Sequence, residues 1–304
     1  KPYFTYTHPN DIHDVKWFTV AGHVAVDKII TDEGAFHQLG GPPCFAASLS
    51  RTLGFELETV TRIGDDFPEE YTATLDRLGL STKKTTGSQS TRFVIDYRYS
   101  PRRMRLPTIC EPIRLNELAN IERLLLCPIA GEISDHVMKE VDSSFLGLDP
   151  QGLLRKVGPE YIIESQKWWN PEVVKKLDLL KTSSNEHHLI TGTTDIKQSL
   201  KKLVENGVKT AVITDGENGS FVMTSSKLLH IPIFPVDVVD STGAGDVFAA
   251  ALAAYIDEGI SWTCAMASAS SSAIVETHGI EIKQSKSEII RRAEWIQDKI
   301  VSLE

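Results

Sequence analysis

The amino-acid sequence predicts an α/β protein, a mostly parallel β-sheet with helices on both faces. Short β-branched runs alternate along the chain with longer amphipathic stretches, and those stretches carry apolar residues at spacings of three and four. No internal repeat, low-complexity tract or Pro/Ser-rich linker breaks this order. We therefore expect one three-layer α/β domain over residues 1–304.

The individual elements follow from these periodicities. Buried strands are predicted at Phe18–Gly22, Thr59–Ile63, Leu124–Ile129, Phe145–Leu148, Leu177–Leu180 and Ala211–Thr214. Helices with one apolar face are predicted at Glu69–Leu78, Asp195–Asn206, Ala244–Asp257, Trp262–Glu276 and Ser287–Val301.

Two further segments alternate apolar and polar residues with a period of two. The first lies at about residues 23–38 and the second at about residues 91–109. Alternation of this kind indicates strands with one exposed face. We expect them to form a small antiparallel β lid outside the main sheet.

Charge and cysteine usage exclude several classes of protein. The chain has 32 Lys plus Arg against 41 Asp plus Glu, a formal net charge of −9, so nothing general attracts it to nucleic acid or an anionic membrane. Residues 1–17 lack the apolar core of a signal peptide, and no run reaches the roughly 18 apolar residues of a membrane span. The four cysteines lie far apart and are interpreted as reduced thiols. We expect a cytoplasmic monomer or homodimer, with no nucleic-acid or membrane partner.

The segment from Asp240 to Asp246 reads Asp-Ser-Thr-Gly-Ala-Gly-Asp and runs directly into a helix rich in small residues. Glycines allow close backbone approach, and a helix start presents unpaired amides and the positive end of its dipole, so an anion can bind there. Asp246 would repel that anion unless it takes a proton from a hydroxyl attacking phosphorus. Helix capping is the other interpretation of Asp246, and on a Gly-x-Gly-Asp pattern alone the two weigh about evenly.

The whole heptapeptide, with the Val236–Val239 run before it, resembles the C-terminal signature of the ribokinase-like (PfkB) family of carbohydrate kinases. This resemblance implies the ribokinase-like fold. It implies that Asp246 is the catalytic base and that the amides of Gly243, Ala244 and Gly245 form the anion hole for the transferred phosphoryl group.

Other segments extend the resemblance over nearly the whole chain, and each implies a role. The implied roles are substrate binding by Asp27, Gly40 and Gly41, nucleotide binding by Thr214, Gly216 and Gly219, adenine contact by Ala273 and Ser270, magnesium support through water by Glu186, and a monovalent cation site at Asp240 and Thr242.

The sequence also departs from the family pattern. Phe45 stands where the family's first signature carries an asparagine, so the sugar pocket should differ from that of ribokinase. Ser183 replaces the asparagine of the Asn-x-x-Glu segment, so the contact of that asparagine should be missing while Glu186 keeps the magnesium role. The Gly22-His23 pair and the segment from Arg105 to Ile113 look more like the inositol kinase branch. The arginines of the second lid segment are interpreted first as a solvated strand face; Arg105 is the substrate-binding candidate among them.

The resemblance implies an ATP- and Mg²⁺-dependent kinase that phosphorylates a hydroxyl of a small polyol, a sugar or a cyclitol such as inositol. A nucleoside kinase of the same family and a non-catalytic ligand-binding member are the alternatives. A nicotinamide-dependent oxidoreductase is discounted because the first predicted strand does not lead into Gly-x-Gly-x-x-Gly. A P-loop kinase is excluded because Gly-x-x-x-x-Gly-Lys-Ser/Thr is absent.

Overall fold

A computed structural model describes residues 16–80, 82–85 and 88–303. Most of the N-terminal segment interpreted above, residues 1–15, lies outside these ranges. In the ranges described, every helix is too short or too polar to cross a bilayer.

The strands of the described ranges are β1 (Trp17–Ala21), β2 (Ala25–Thr31), β3 (Gly34–Gly40), β4 (Glu56–Gly64), β5 (Thr82–Thr85), β6 (Thr91–Asp96), β7 (Arg103–Thr108), β8 (Arg123–Leu126), β9 (Phe145–Leu148), β10 (Arg155–Val157), β11 (Ile163–Ser165), β12 (Leu179–Ser183), β13 (Thr210–Thr214), β14 (Ser220–Thr224), β15 (Leu228–Ile231) and β16 (Val301–Ser302). The α-helices are α1 (Pro42–Leu53), α2 (Glu69–Leu78), α3 (Asp135–Glu140), α4 (Pro171–Val174), α5 (His187–Thr191), α6 (Ile196–Glu205), α7 (Ala244–Tyr255), α8 (Ile260–Ile274) and α9 (Lys286–Gln297).

The main sheet has ten strands in the order β16-β15-β14-β13-β12-β9-β8-β1-β4-β5. From β13 to β5 all neighbouring strands are parallel; in β1, for example, Val20 lies opposite Thr59 on one side and Leu125 on the other. The last three strands, β14 to β16, add to the β13 edge in antiparallel fashion. The predicted mostly parallel sheet is confirmed.

Consecutive residues of the central strands point to opposite faces of the sheet and enter two different cores. Val20 and Leu179 belong to the core beneath α1, α7, α8 and α9. Their neighbours Ala21 and Leu180 belong to the core beneath α3 to α6. Because central strands of a parallel sheet are covered on both sides, these strands appear in the sequence as nearly continuous apolar runs. The three-layer arrangement is confirmed.

A separate four-stranded sheet, in the order β3-β2-β6-β7, forms the lid. The strands β2 and β3 form an antiparallel hairpin, as do β6 and β7, but β2 and β6 run parallel. The prediction of a wholly antiparallel lid is therefore wrong at its central pair. Between β2 and β6 the chain crosses the main domain, and it returns to the lid in the same direction.

The C-terminal end of the chain differs from the prediction. The predicted helix Ser287–Val301 ends at Gln297, and Val301 instead pairs with His230 of β15. The helix predicted to end at Asp257 ends at Tyr255 and is followed by a 3₁₀ turn. Apolar spacing alone does not separate a helix from a short edge strand, because the pairing partner is distant in sequence.

Candidate active site

The start of α7 lies beside residues that follow the carboxyl ends of the parallel strands β9 and β12. This edge is where ligands bind in open α/β sheets. Helix α7 is 12 residues long and begins after Gly243, which has φ +79°. A Cβ on Gly243 would lie 2.1 Å from the ring of Phe45, so both the backbone angle and the packing require glycine here.

A cavity of about 230 Å³ lies between the lid sheet and the start of α7; we call it the lid cavity. The residues lining the lid cavity are Ala25, Asp27, Gly41, Phe45, Phe93, Ile95, Arg102, Met104, Ile129, Asp149, Gln151, Arg155, Lys181, Ser183, Glu186, Ser241, Thr242, Gly243, Gly245 and Asp246. Acidic, basic and apolar side chains therefore surround one small volume.

A second cavity of about 350 Å³, the apolar cavity, is lined by residues of β13, the Gly216–Gly219 turn, α7 and α8. Its lining residues are Thr214, Gly216, Glu217, Gly219, Ile233, Phe234, Val236, Val238, Ser241, Ala244, Gly245, Phe248, Ser268, Ser271, Ser272 and Val275. Ser241 and Gly245 line both cavities. The start of α7 therefore separates two adjoining ligand-sized spaces.

The amides at the start of α7 are in part available to a ligand. A helix leaves its first amides without acceptors within the helix. The Ala244 amide donates to the Ser241 carbonyl at a long 3.3 Å, and the first regular helical bond runs from the Val247 amide to the Gly243 carbonyl at 2.9 Å. Gly245 and Asp246, between these two donors, line the lid cavity.

The Asp246 carboxylate lies at the lid cavity and accepts a hydrogen bond from Gln151 Nε2 at 2.9 Å. Burial, followed by repulsion from Asp149, raises the pKa of Asp246 to about 6. A carboxylate with such a pKa is ionised at neutral pH and still basic enough to take a proton from a hydroxyl in a transition state.

Asp27, on lid strand β2, is a second carboxylate in the lid cavity and is only 5% exposed. Burial and the charge of Asp246 raise its pKa to about 7. Its Oδ1 atom has no hydrogen-bond partner among the described residues. A buried acceptor of this kind suits a ligand that brings hydroxyl donors.

Lys181 of β12 and Asp149 after β9 form a buried ion pair, with Lys181 Nζ donating to Asp149 Oδ2 at 2.8 Å. A Cβ on Gly245 would lie 2.7 Å from Lys181 Nζ, so the ammonium group directly adjoins the start of α7. Lys181, Asp149, Gln151 and Arg155 were not predicted as site residues. A lysine inside the apolar run of β12 and an aspartate directly after β9 were the available signals.

Most residues implied by the resemblance lie at the two cavities. Asp27, Gly41, Gly243, Gly245, Asp246 and Glu186 line the lid cavity, and Thr214, Gly216, Gly219, Ala244 and Gly245 line the apolar cavity. Gly40 packs against the Asp27 carboxylate. Glu186 accepts a hydrogen bond from Ser183 Oγ at 2.7 Å, which orients one of its oxygens.

Neither cavity is lined by Arg105, Ala273 or Ser270. Arg105 is exposed on β7 while its neighbour Met104 lines the lid cavity, since adjacent strand residues face opposite ways. Arg102 and Arg155 are the arginines at this cavity. Ala273 is fully buried in the core, as is Ser270, whereas Ser271, Ser272 and Val275 face the apolar cavity.

The lid is hydrogen bonded to the segment preceding α7. Arg102 Nη1 donates to the Tyr97 hydroxyl at 2.8 Å, and the hydroxyls of Tyr97 and Thr242 are hydrogen bonded at 2.9 Å. Tyr97 directly follows β6, and Thr242 directly precedes Gly243. The lid strands are thereby held over the lid cavity.

The raised pKa of Asp246 predicts the pH dependence of any proton abstraction at this site. Because the base must be ionised, kcat/KM for the acceptor, which reports the pKa values of the free enzyme, should fall as the pH drops through about 6, tenfold per pH unit below it. The measurement is kcat/KM for the acceptor at saturating ATP between pH 4.5 and 9. A plateau that extends down to pH 4.5 would contradict the assignment of Asp246 as the base.

The profile of the pfkB family carbohydrate kinases matches residues 167–286. A cytidine kinase of Thermococcus kodakarensis is 27% identical over 79% of this chain and 88% of its own length. A deoxyribokinase of Salmonella typhi is 35% identical over 26% of this chain and 28% of its own length.

Solved structures share the fold at lower identity. A pyrophosphate-dependent kinase in the ribokinase family, complexed with a pyrophosphate analog and myo-inositol, aligns with a TM-score of 0.76 at 22% identity, over 90% of this chain and 99% of that one. Ribokinase from Thermotoga maritima aligns with a TM-score of 0.73 at 20% identity, over 91% of this chain and 99% of that one. These findings confirm the ribokinase-like fold and the resemblance to the ribokinase-like (PfkB) family.

Proposed function

We propose, from the ribokinase-like (PfkB) character of the chain, that the protein is an ATP-dependent kinase that transfers the γ-phosphoryl group to a hydroxyl of a small polyol, a sugar or a cyclitol such as inositol. One observation carries the proposal: the Asp246 carboxylate and the Gly245 amide lie in the lid cavity at the point where it adjoins the apolar cavity. An acceptor in the lid cavity and a nucleotide in the apolar cavity would meet at the start of α7.

The proposed reaction begins with an acceptor hydroxyl hydrogen bonded to Asp246 and a neighbouring hydroxyl donating to Asp27. As the acceptor oxygen forms its bond to the γ-phosphorus, its proton passes to the Asp246 carboxylate, and the bond from that phosphorus to the bridging oxygen breaks. ADP leaves with the bonding electron pair. The amides at the start of α7 and the Lys181 ammonium stabilise the charge on the transferred group.

The donor side is supported by the chemistry of the apolar cavity. Ile233, Phe234, Val236 and Phe248 offer apolar surface for a base, and hydroxyl groups of α8 stand beside them. Glu186 is the carboxylate at the lid cavity that would support magnesium through water, since Mg²⁺ in nucleotide sites keeps most of its water and phosphate ligands. Bound magnesium would neutralise phosphate charge.

A phosphorylation screen of the purified protein with ATP and Mg²⁺ tests the proposal. The acceptors are pentoses, hexoses, sugar phosphates, inositols and nucleosides, and product is detected by ADP release and by ³¹P NMR. We expect acceptor-dependent formation of a phosphate monoester. Absence of a phosphate monoester and of acceptor-dependent ADP release with every compound of the screen would overturn the proposal and favour a non-catalytic ligand-binding protein.

A nucleoside acceptor is the second candidate, and the inner face of the lid favours it. Phe93, Ile95 and Met104 pack together on that face and line the lid cavity. Such a surface suits a planar base better than a ring that bears a hydroxyl on every carbon. The cytidine kinase that matches most of the chain also supports it. In the screen, kcat/KM for cytidine above that for ribose and myo-inositol would select this candidate.

Replacing Asp27 by Asn separates acceptor binding from folding. We expect KM for the acceptor to rise by about tenfold to a hundredfold, as a charge-assisted bond is lost, with the ATP KM unchanged.

The ionised Asp27 is destabilising in the folded protein, because its raised pKa means that stability is lost as the pH rises through about 7. The Asp27→Asn protein should therefore have a higher Tm than wild type at pH 8.

An acceptor-binding role and a structural role of Asp27 predict different results in these measurements. A merely structural Asp27 would give a lower Tm at pH 8 and equal losses of affinity for acceptor and ATP. Glu33→Gln, on the exposed hairpin after β2, is the control for removal of a carboxylate from the lid.

A further inference from the structure

Gln151 connects two charged groups at the lid cavity. It follows β9 and opens the 3₁₀ turn Gln151–Leu154. Its Nε2 donates to Asp246 Oδ1 at 2.9 Å, and its Oε1 accepts from Arg155 Nη2 at 2.9 Å. A primary amide carries one acceptor and two donors, so each end of this side chain is matched to the charge it meets.

These two partners determine the orientation of the amide. A flipped amide would set its carbonyl oxygen against the Asp246 carboxylate and its NH₂ group against the Arg155 guanidinium, and both contacts would be repulsive. Arg155 is itself held by a bond from Nη1 to the Ile129 carbonyl at 2.9 Å and lies 5.7 Å from the centre of the Phe93 ring. The donor is therefore presented to Asp246 in one direction.

We propose that Gln151 is a positioning residue for the base, and that Arg155 holds Gln151 in the productive orientation. This inference rests on the proposed function, since it assumes that Asp246 accepts the proton. With Oδ1 occupied by Gln151, Oδ2 is the oxygen left to face an acceptor hydroxyl. The same hydrogen bond favours the ionised carboxylate and opposes the effect of burial.

The electrostatic surroundings of Asp246 define what a Gln151 variant should change. Burial and then Asp149 after β9 raise its pKa, whereas Lys181 of β12, the Gln151 bond and Arg155 of β10 lower it. Asp27 of β2 is the fourth charged group, and its own pKa is raised by the charge of Asp246. Removing one neutral donor leaves the four charges in place. A change in titration in such a variant can therefore be attributed to the hydrogen bond.

The test compares Gln151→Met, which keeps the length of the side chain, with Gln151→Glu, which adds a negative charge beside Asp246. We expect kcat to fall by about tenfold to a hundredfold in Gln151→Met, as for a misplaced catalytic group, with the ATP KM within twofold. The acid limb of the pH profile should move to higher pH in Gln151→Met and further in Gln151→Glu.

Gln166→Met is the matched control. Gln166 Nε2 donates to the carbonyls of Leu153 and Arg155, so it supports the same turn and lies outside the cavity lining. We expect a lower Tm and an unmoved acid limb in this variant. An acid limb that shifts equally in Gln166→Met and Gln151→Met would overturn the inference and assign Gln151 a structural role.

A direct titration separates this inference from the proposed function. The Asp246 carboxyl can be followed by ¹³C NMR in aspartate-labelled protein without substrates, with its signal assigned from Asp246→Asn. Its pKa should rise in Gln151→Met relative to wild type. An unchanged pKa would contradict the positioning role of Gln151, even if the protein is an active kinase. If the proposed kinase function is wrong, this appears in the acceptor screen and not in the titration.

Discussion

The Asp246→Asn protein is expected to lose phosphoryl transfer by about 10² to 10⁴ in kcat, the usual contribution of a positioned base. Asparagine keeps an oxygen that can accept from Gln151 Nε2, so the hydrogen bond seen at 2.9 Å can persist. It has no basic site for the proton of the acceptor hydroxyl. The start of α7 is unchanged, and we expect ATP affinity by calorimetry to stay within about threefold.

Asp237→Asn is the control for this variant, because Asp237 is an exposed residue of the segment preceding α7 and lines neither cavity. It should leave kcat and ATP affinity at wild-type values. Turnover of Asp246→Asn within tenfold of wild type would refute the assignment of the base. Loss of ATP binding together with turnover would indicate that the start of α7 had collapsed.

The Lys181→Met protein is expected to be both less stable and nearly inactive. Lys181 and Asp149 have side chains only 7% and 1% exposed, so removing the lysine leaves a buried carboxylate without its partner. Breaking such a pair lowers the free energy of unfolding by about 3–5 kcal/mol. Loss of a charged donor beside the Gly245 amide should also lower kcat by about 10² to 10³.

The double variant Lys181→Met with Asp149→Asn separates the two effects. Neutralising the orphaned carboxylate should restore most of the stability, measured by urea unfolding, and none of the activity. Lys209→Met, in which a side chain that is 75% exposed and paired with Asp178 loses its charge, should change the free energy of unfolding by less than about 1 kcal/mol. Recovery of kcat in the double variant would show that Lys181 acts only as the partner of Asp149.

The predicted and observed elements agree best where the local residue pattern is compatible with only one kind of secondary structure. The helix Glu69–Leu78 and the strand Phe145–Leu148 have the predicted bounds. The edge strands β14 to β16 and the parallel pairing of β2 with β6 were not predicted. Pairing at an edge or across a long excursion depends on which backbone segments meet in space, which local periodicity does not encode.

In the candidate site, too, residues close together in the sequence could be predicted and residues that meet only in the folded protein could not. The motif residues Asp246, Gly243 and Gly245 could be predicted because backbone and base lie within four positions of the chain. Gln151 and Arg155 could not be predicted, because Gln151 meets Asp246 across 95 positions. Lys181 was marked only by its place in the apolar run of β12, and its partner Asp149 lies 32 positions away. Arg105 was the predicted substrate-binding arginine, but Arg102 lines the lid cavity instead, because strand direction and register decide which lid residues face it.

The sequence by itself determined the α/β class, the helix start that can hold an anion and the acid within it, because these features depend on residues close together along the chain. Only the tertiary structure decided which charges surround that acid, that two cavities meet at the same helix start, and which lid residues cover them. Burial and distance set the pKa values and hydrogen bonds of the site, and both arise when distant segments pack together.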